Sequence, residues 1–273
     1  MLSKLSRLLT YLNAILYAVL GACLFLFPAA LAPVFAWKVT PFMTMTIGGW
    51  CLGNAWLAWM SARRWRWGLV YTALIYFWLF GIGELIVLYI FRDKLILTHP
   101  IAWLYLVALI VNVITAFVGV VDWIRIRPSG TAESMGLPMR TVHRIQALFF
   151  VLFVGFLGAY GSAAQIGAPG TNGGIFPEVM SAFTLRSFGV FYLSLALSAV
   201  PFLWEKSLDT FLTHAIAFYG LIIFITFAAI IHINLFDFTA RPGGLAYFAA
   251  YLAVAIALLF EFRKSGTGSG RVA

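Results

Sequence analysis

The chain is dominated by stretches of about twenty residues that carry almost no charge. A bilayer core about 30 Å thick is crossed by roughly 20 apolar residues of α-helix, so each such stretch is long enough to span it. The stretches run Leu8 to Phe27, Met43 to Ala62, Trp67 to Ile90, Ile101 to Ile124, His143 to Gln165, Phe183 to Trp204, Thr210 to Ile233 and Leu245 to Phe262. They predict an all-α polytopic membrane protein with about eight transmembrane helices. Composition agrees, because only 10% of residues are charged where a water-exposed surface needs about a quarter. The first stretch lacks a small-residue cleavage site and resembles the later ones, so it reads as a helix and not as a signal peptide.

Lysine and arginine set the expected orientation. Thirteen fall in one set of alternate segments (Lys4, Arg7, Arg63, Arg64, Arg66, Arg125, Arg127, Arg140, Arg144, Lys206, Arg263, Lys264 and Arg271), and five in the other (Lys38, Arg92, Lys94, Arg186 and Arg241). Both termini are therefore expected in the cytoplasm, in a bacterial plasma membrane. The net charge of +9 then belongs to the inner membrane face, so lipid is the expected partner, other membrane subunits are open, and nucleic acid is not expected. Oligomeric state is not readable. Cys23 and Cys51 lie inside helices without metal-ligand spacing and read as buried thiols, with a bridge between them as the alternative.

The polar run Arg125 to Val142, with Pro128, Gly130, Gly136 and Pro138, reads as a cytoplasmic linker. Features on one side recur on the other. Thr44 and Gly49 match Thr184 and Gly189 at a separation of 140; Pro100 and Tyr105 match Pro242 and Tyr247 at 142; Asp122, Trp123 and Arg125 match Glu261, Phe262 and Lys264 at 139. The expected organisation is a first half at 1–127, a linker at 128–140, a second half at 141–264 and a tail at 265–273. Four helices per half is an even number, so the repeats are parallel, and a pseudo-two-fold axis along the membrane normal would place any binding site between them.

The run Phe35 to Pro41, together with Phe176-Pro177 and Thr184-x-Arg186-x-x-Gly189, resembles a group of uncharacterised bacterial multi-pass membrane proteins. Their second-half pattern reads Trp-Pro-x-x-Leu-Thr-Pro-x-Thr-Ala-Arg-x-x-Gly-Ala. This chain has Met180-Ser181-Ala182 in place of Leu-Thr-Pro and Val190 in place of the last Ala. The resemblance covers some thirty residues and implies no activity and no site residue.

Glu84, inside the third stretch, is the most informative residue. An acidic side chain near a helix centre disfavours insertion by about 2.5 to 3.5 kcal/mol, so it must face the protein interior, take a partner or carry a proton. It reads as a proton relay or cation site, or as half of a structural pair. Arg186, at similar depth, is the expected partner, with snorkelling to headgroups as the alternative. His99 with His232, and His143 with His214, share depths that would suit haem ligation, although helix-end histidines are ordinarily solvated. Trp56 and Trp78 sit deep enough to stack on a quinone or pigment, or simply to fill core or lipid-facing space. Gly49-x-x-x-Gly53, Ser194-x-x-x-Ser198 and Gly155, Gly158 and Gly161 mark close helix packing. The glycine-rich loop Gly167 to Phe183, matched by Phe35 to Phe42, reads as an outer loop followed by an interfacial or partly re-entrant segment.

No catalytic motif stands out, no metal site is expected and no cofactor is specified. Three functional readings follow: binding or transport of a small solute or lipophilic molecule between the halves; a non-catalytic membrane subunit or scaffold, with pigment, quinone or haem as its possible guest; and an enzyme acting on lipid.

Overall fold

The computed structural model describes residues 1–128, 138–164 and 180–236, with positions 239, 244, 249, 252–254, 256 and 260 beyond them. The expected span from Leu245 to Phe262, most of the linker and the loop at 165–179 lie largely outside these residues. Among the described residues there are helices and no strand: α1 (Lys4–Leu26), a short α2 (Pro28–Leu31), α3 (Pro41–Arg63), α4 (Trp67–Ile90), α5 (Pro100–Ile126), α6 (Thr141–Ala163), α7 (Ala182–Ala199) and α8 (Leu208–Ile231). Six of these, all but α2 and α3, are long and apolar enough to cross a membrane. The molecule is a multi-pass α-helical membrane protein.

Local chemistry places the helix ends. Ser3, Thr40, Ser181 and Ser207 each accept a hydrogen bond from a backbone N–H of the first turn of α1, α3, α7 and α8, satisfying a donor that the helix leaves open. Pro41 and Pro100 occupy the first positions of α3 and α5, where no N–H is needed. α7 stops as an α-helix at Ala199 and continues as a 3-10 turn over Val200–Leu203, because Pro201 has no N–H to give. The sixth expected stretch is accordingly regular α-helix only as far as Ala199.

Polarity is inverted relative to a water-soluble domain. Leu8, Leu12, Ile15 and Val19 on α1, and Ile145, Phe149, Leu152 and Phe156 on α6, are exposed, while Asn13, Asn54, Glu84 and Asn112 are almost fully buried. Lipid is the solvent for the former, and polar groups turn inward to find partners. α3 is the central helix: 17 of its 23 residues are buried, against 6 of 23 in α6.

Small residues bring backbones together. A Cβ on Gly48 of α3 would lie 2.5 Å from the backbone nitrogen of Phe25 in α1, and one on Gly161 of α6 would lie 2.7 Å from Gly189 Cα in α7. α3 also packs on α8, and α7 on α4, so helices from before and after the linker interlock. α4 meets α8 through pairs of residues 142 apart in sequence. Thr210 Oγ1 donates to the Gly68 carbonyl at 2.9 Å, Thr72 Oγ1 lies 2.9 Å from His214 Nδ1, and the rings of Tyr76 and Phe218 are 5.0 Å apart, edge to face.

One end of the bundle is tied by polar contacts. Ser3 and Ser6 donate to Asp122, Arg7 donates to the Ala62 carbonyl at 2.8 Å, Arg64 to Thr213 at 3.2 Å and Tyr71 to Glu205 at 2.9 Å. At the other end, the non-helical segment before α3 buries Phe35, Ala36 and Trp37.

Candidate functional site

Glu84 is 3% exposed in α4, and its Oε1 accepts two hydrogen bonds, from Tyr105 Oη of α5 and Ser187 Oγ of α7, each at 2.8 Å. Its Oε2 has no partner among the described residues. The one ion pair among those residues, Lys94 with Asp93 at 2.9 Å, is exposed in the loop after α4. Neutral hydroxyls, one from each side of the linker, thus hold the only acidic side chain that lies fully buried in a described span.

Glu84 borders a cavity of about 20 Å³, room for one water molecule. Trp37, Trp50 and Phe188 form aromatic walls, and Asn54, Thr184 and Ser187 contribute polar groups. Helix geometry explains the α7 contribution. Thr184, Ser187 and Phe188 stand at i, i+3 and i+4 and share one face. Trp37 stacks on Phe183 with centroids 4.3 Å apart, and its Nε1 donates to Thr184 at 3.1 Å. Trp50 stacks on Phe191 at 4.2 Å, while its Nε1, like Asn54 Nδ2, has no partner among the described residues. Tyr76 Oη donates to Asn54 Oδ1 at 2.7 Å, and Asn112 donates to Tyr17 at 3.1 Å.

Arg186 is not the partner of Glu84. Its guanidinium donates to the carbonyls of Gly161 and Ala164, both at 2.8 Å, closing the C-terminal end of α6, whose last carbonyls lack helical donors. Adjacent helix positions point about 100° apart, so Ser187 takes the direction toward Glu84 that Arg186 does not.

The other expected residues lie elsewhere. His99 is exposed at the start of α5, and His232 packs 5.3 Å from Phe42 while its Nδ1 engages the Ala228 carbonyl at 3.1 Å. His143 Nδ1 accepts from the Arg140 backbone N–H at 3.3 Å. Contacts between His143 and His214 run through Phe211 and Phe202, with successive ring separations of 5.6, 5.3 and 4.7 Å, so the two imidazoles do not face each other across a slot for a porphyrin. Trp56 is 43% exposed and donates to the Ile216 carbonyl at 2.9 Å, and Trp78 covers Gly119. Neither borders the Glu84 cavity. Among the described residues no three histidine, cysteine, aspartate or glutamate side chains gather as a metal site would require.

A second cavity, of about 310 Å³, lies between α6, α7, α8 and the segment containing Ala253 and Val254. Phe149, Phe153, Phe191, Phe202 and Phe218 dominate its wall, with His214 as one of its few polar groups. His214 Nδ1 is engaged with Thr72, and its ring stacks on Phe218 at 4.0 Å.

The sequence reading missed Tyr105, Ser187, Trp37 and Trp50. The available signal was the clustering of small hydroxyls with an aromatic residue at Thr184, Ser187 and Phe188, which share a helix face.

No known protein family matches the chain, and neither does any curated protein or solved structure.

Proposed function

We propose that this membrane protein binds and translocates a small solute at the seam between two four-helix halves, with Glu84 as the group whose occupancy changes during the cycle. The observation that carries this reading is the placement of Glu84: a carboxyl in a membrane-spanning helix, held on one oxygen by hydroxyls from both sides of the linker, its other oxygen unpartnered beside an internal cavity. Ionisable groups are retained at such depth chiefly for proton or ion handling.

On this reading the chain crosses a bacterial plasma membrane eight times, with both termini in the cytoplasm, and the halves are parallel repeats. The pairing of Gly68 with Thr210, Thr72 with His214 and Tyr76 with Phe218 supports the repeat, because a residue beside a two-fold axis touches its own counterpart. The seam is then a pseudo-symmetric interface of the kind in which transporter sites form.

The test is solid-supported-membrane electrophysiology on proteoliposomes, applying jumps of amino acids, organic acids, sugars and alkylammonium salts. At least one class is expected to evoke a current in the wild type that Glu84→Gln abolishes. Silence for every class, or equal currents from the variant, overturns the proposal. A second reading, a non-catalytic subunit holding a lipophilic guest, draws support from the apolar cavity beside His214; a chromophore, quinone or stoichiometric protein copurifying in mild detergent would favour it.

A further inference from the structure

We infer that the species exchanged at Glu84 is the proton, carried on Oε2 and passed to a single water molecule held by Trp50 Nε1 and Asn54 Nδ2. The inference rests on the reading of Glu84 as the exchanging group and names what is exchanged. Three observations combine.

Oε1 already accepts from Tyr105 and Ser187, so a proton bound by this carboxyl sits on Oε2. Oε2, Trp50 Nε1 and Asn54 Nδ2 are buried side-chain atoms without a partner among the described residues, and all three residues line the same cavity. Unpaired buried polar groups are costly, and a water accepting from two N–H donors while donating to Oε2 satisfies all three at once. The volume, about 20 Å³, admits one such molecule and no larger solute.

The same donors argue against a metal cation. Hard cations are bound through oxygen atoms, whereas an indole N–H and an amide N–H₂ turn the positive ends of their dipoles on the site. The titratable groups bordering the cavity beside Glu84 are Tyr17 from α1, Cys51 from α3 and Tyr105 from α5, and among the described residues no lysine, arginine or histidine lines it. On α7 the nearest cation, Arg186, is bonded to Gly161 and Ala164. Among the residues that border the cavity, no other charged group competes with the proton. Exchange is balanced once the water turns one lone pair from an N–H donor to the Oε2 hydroxyl: the O–H bond on Oε2 breaks as the water oxygen takes that proton, and one of the water's own O–H bonds breaks as that hydrogen passes back to Oε2, with no charge left behind.

Infrared difference spectroscopy of the full chain in lipid nanodiscs, transferred from H₂O to D₂O and titrated with pH and with sodium, tests this. A protonated-carboxyl band absent from Glu84→Gln is expected. It should be unmoved by saturating sodium, and its deuterium exchange should slow about tenfold in Trp50→Phe, which loses the donor, and in Cys51→Leu, which fills the cavity. Absence of the band at every pH at which the protein is folded, saturable loss of the band with sodium at constant pH, or exchange at wild-type rates in both variants overturns the inference. Solute-evoked currents are scored separately, so a proton site in a protein without transport, and transport without this proton site, give different results.

Discussion

The two cavities, which the proposed repeat would place at corresponding positions, differ in almost every property. One is bordered by α1, α3, α4 and α5 with α7 against it, holds about 20 Å³ and is lined by Tyr17, Asn54, Glu84 and Tyr105. The other is bordered by α6, α7, α8 and the segment at 253–254, holds about 310 Å³ and is lined largely by phenylalanine and aliphatic side chains. Under the proposed repeat, Asn54, Tyr76 and Glu84 correspond to Ser194, Phe218 and Thr226. Directional hydrogen bonds between helices, such as Tyr76 to Asn54 and Tyr105 to Glu84, fix how closely those helices stand. Thr226, the counterpart of Glu84, bonds its own helix at the Ile222 carbonyl, at 2.7 Å. In hydrocarbon, where apolar surface gains little from turning inward, polar links between helices do the closing around the Glu84 cavity.

The comparison breaks most severely if the shared scaffold fails. Gly48→Val and Gly161→Val each force a side chain into a neighbouring backbone, and each is expected to destabilise by about 3 kcal/mol or more, as read by reversible unfolding in mixed micelles. Equal losses would mean that both cavities rest on equivalent helix contacts. Next comes the contrast in polar linkage. Glu84→Leu leaves the Tyr105 and Ser187 hydroxyls unpaired and should cost about 2 to 3 kcal/mol, whereas Thr226→Leu, which breaks only a bond within its own helix, should stay within about 0.5 kcal/mol of the wild type. The smallest effect has opposite signs in the two places: Cys51→Leu overfills the small cavity and should cost about 1 to 2 kcal/mol, while Ala215→Val adds contacts in the large one and should stabilise by about 0.5 kcal/mol. Matching signs would mean that the large cavity is already filled in the membrane.

The fold was legible wherever a single helix decides the pattern. The charge-free runs named the six apolar helices, because length and composition suffice for those, whereas the start of α3 at Pro41 fell in a segment read as partly re-entrant. Glu84 was legible because a buried carboxyl is exceptional in any setting. Its partners were not. Depth favoured Arg186, but partner choice depends on rotation about the helix axis, and the α7 residue turned toward Glu84 is a serine, whose side chain sends no comparable signal. The tryptophans failed in the same way: Trp50, Trp56 and Trp78 look alike in an apolar run, and only the packing separates the one facing the cavity from the one against lipid and the one over a glycine. The buried loop tryptophan, Trp37, lies outside any apolar run, where periodicity carries no information.

α3 bears on how the protein is made. It is 23 residues long, like α1, yet it is not among the helices apolar enough to cross a membrane unaided, because Thr44, Thr46, Asn54 and Ser61 ride on it. During synthesis the insertion machinery would meet a segment whose own partitioning into lipid is weak. Among the described residues α1 is the long helix before it, packed along it through Gly21 and Gly48, and α8, which covers its other side, emerges some 150 residues later. Until α8 emerges, the most polar long helix would be covered on its α1 side alone, so the burden on chaperones and quality control should fall on that interval.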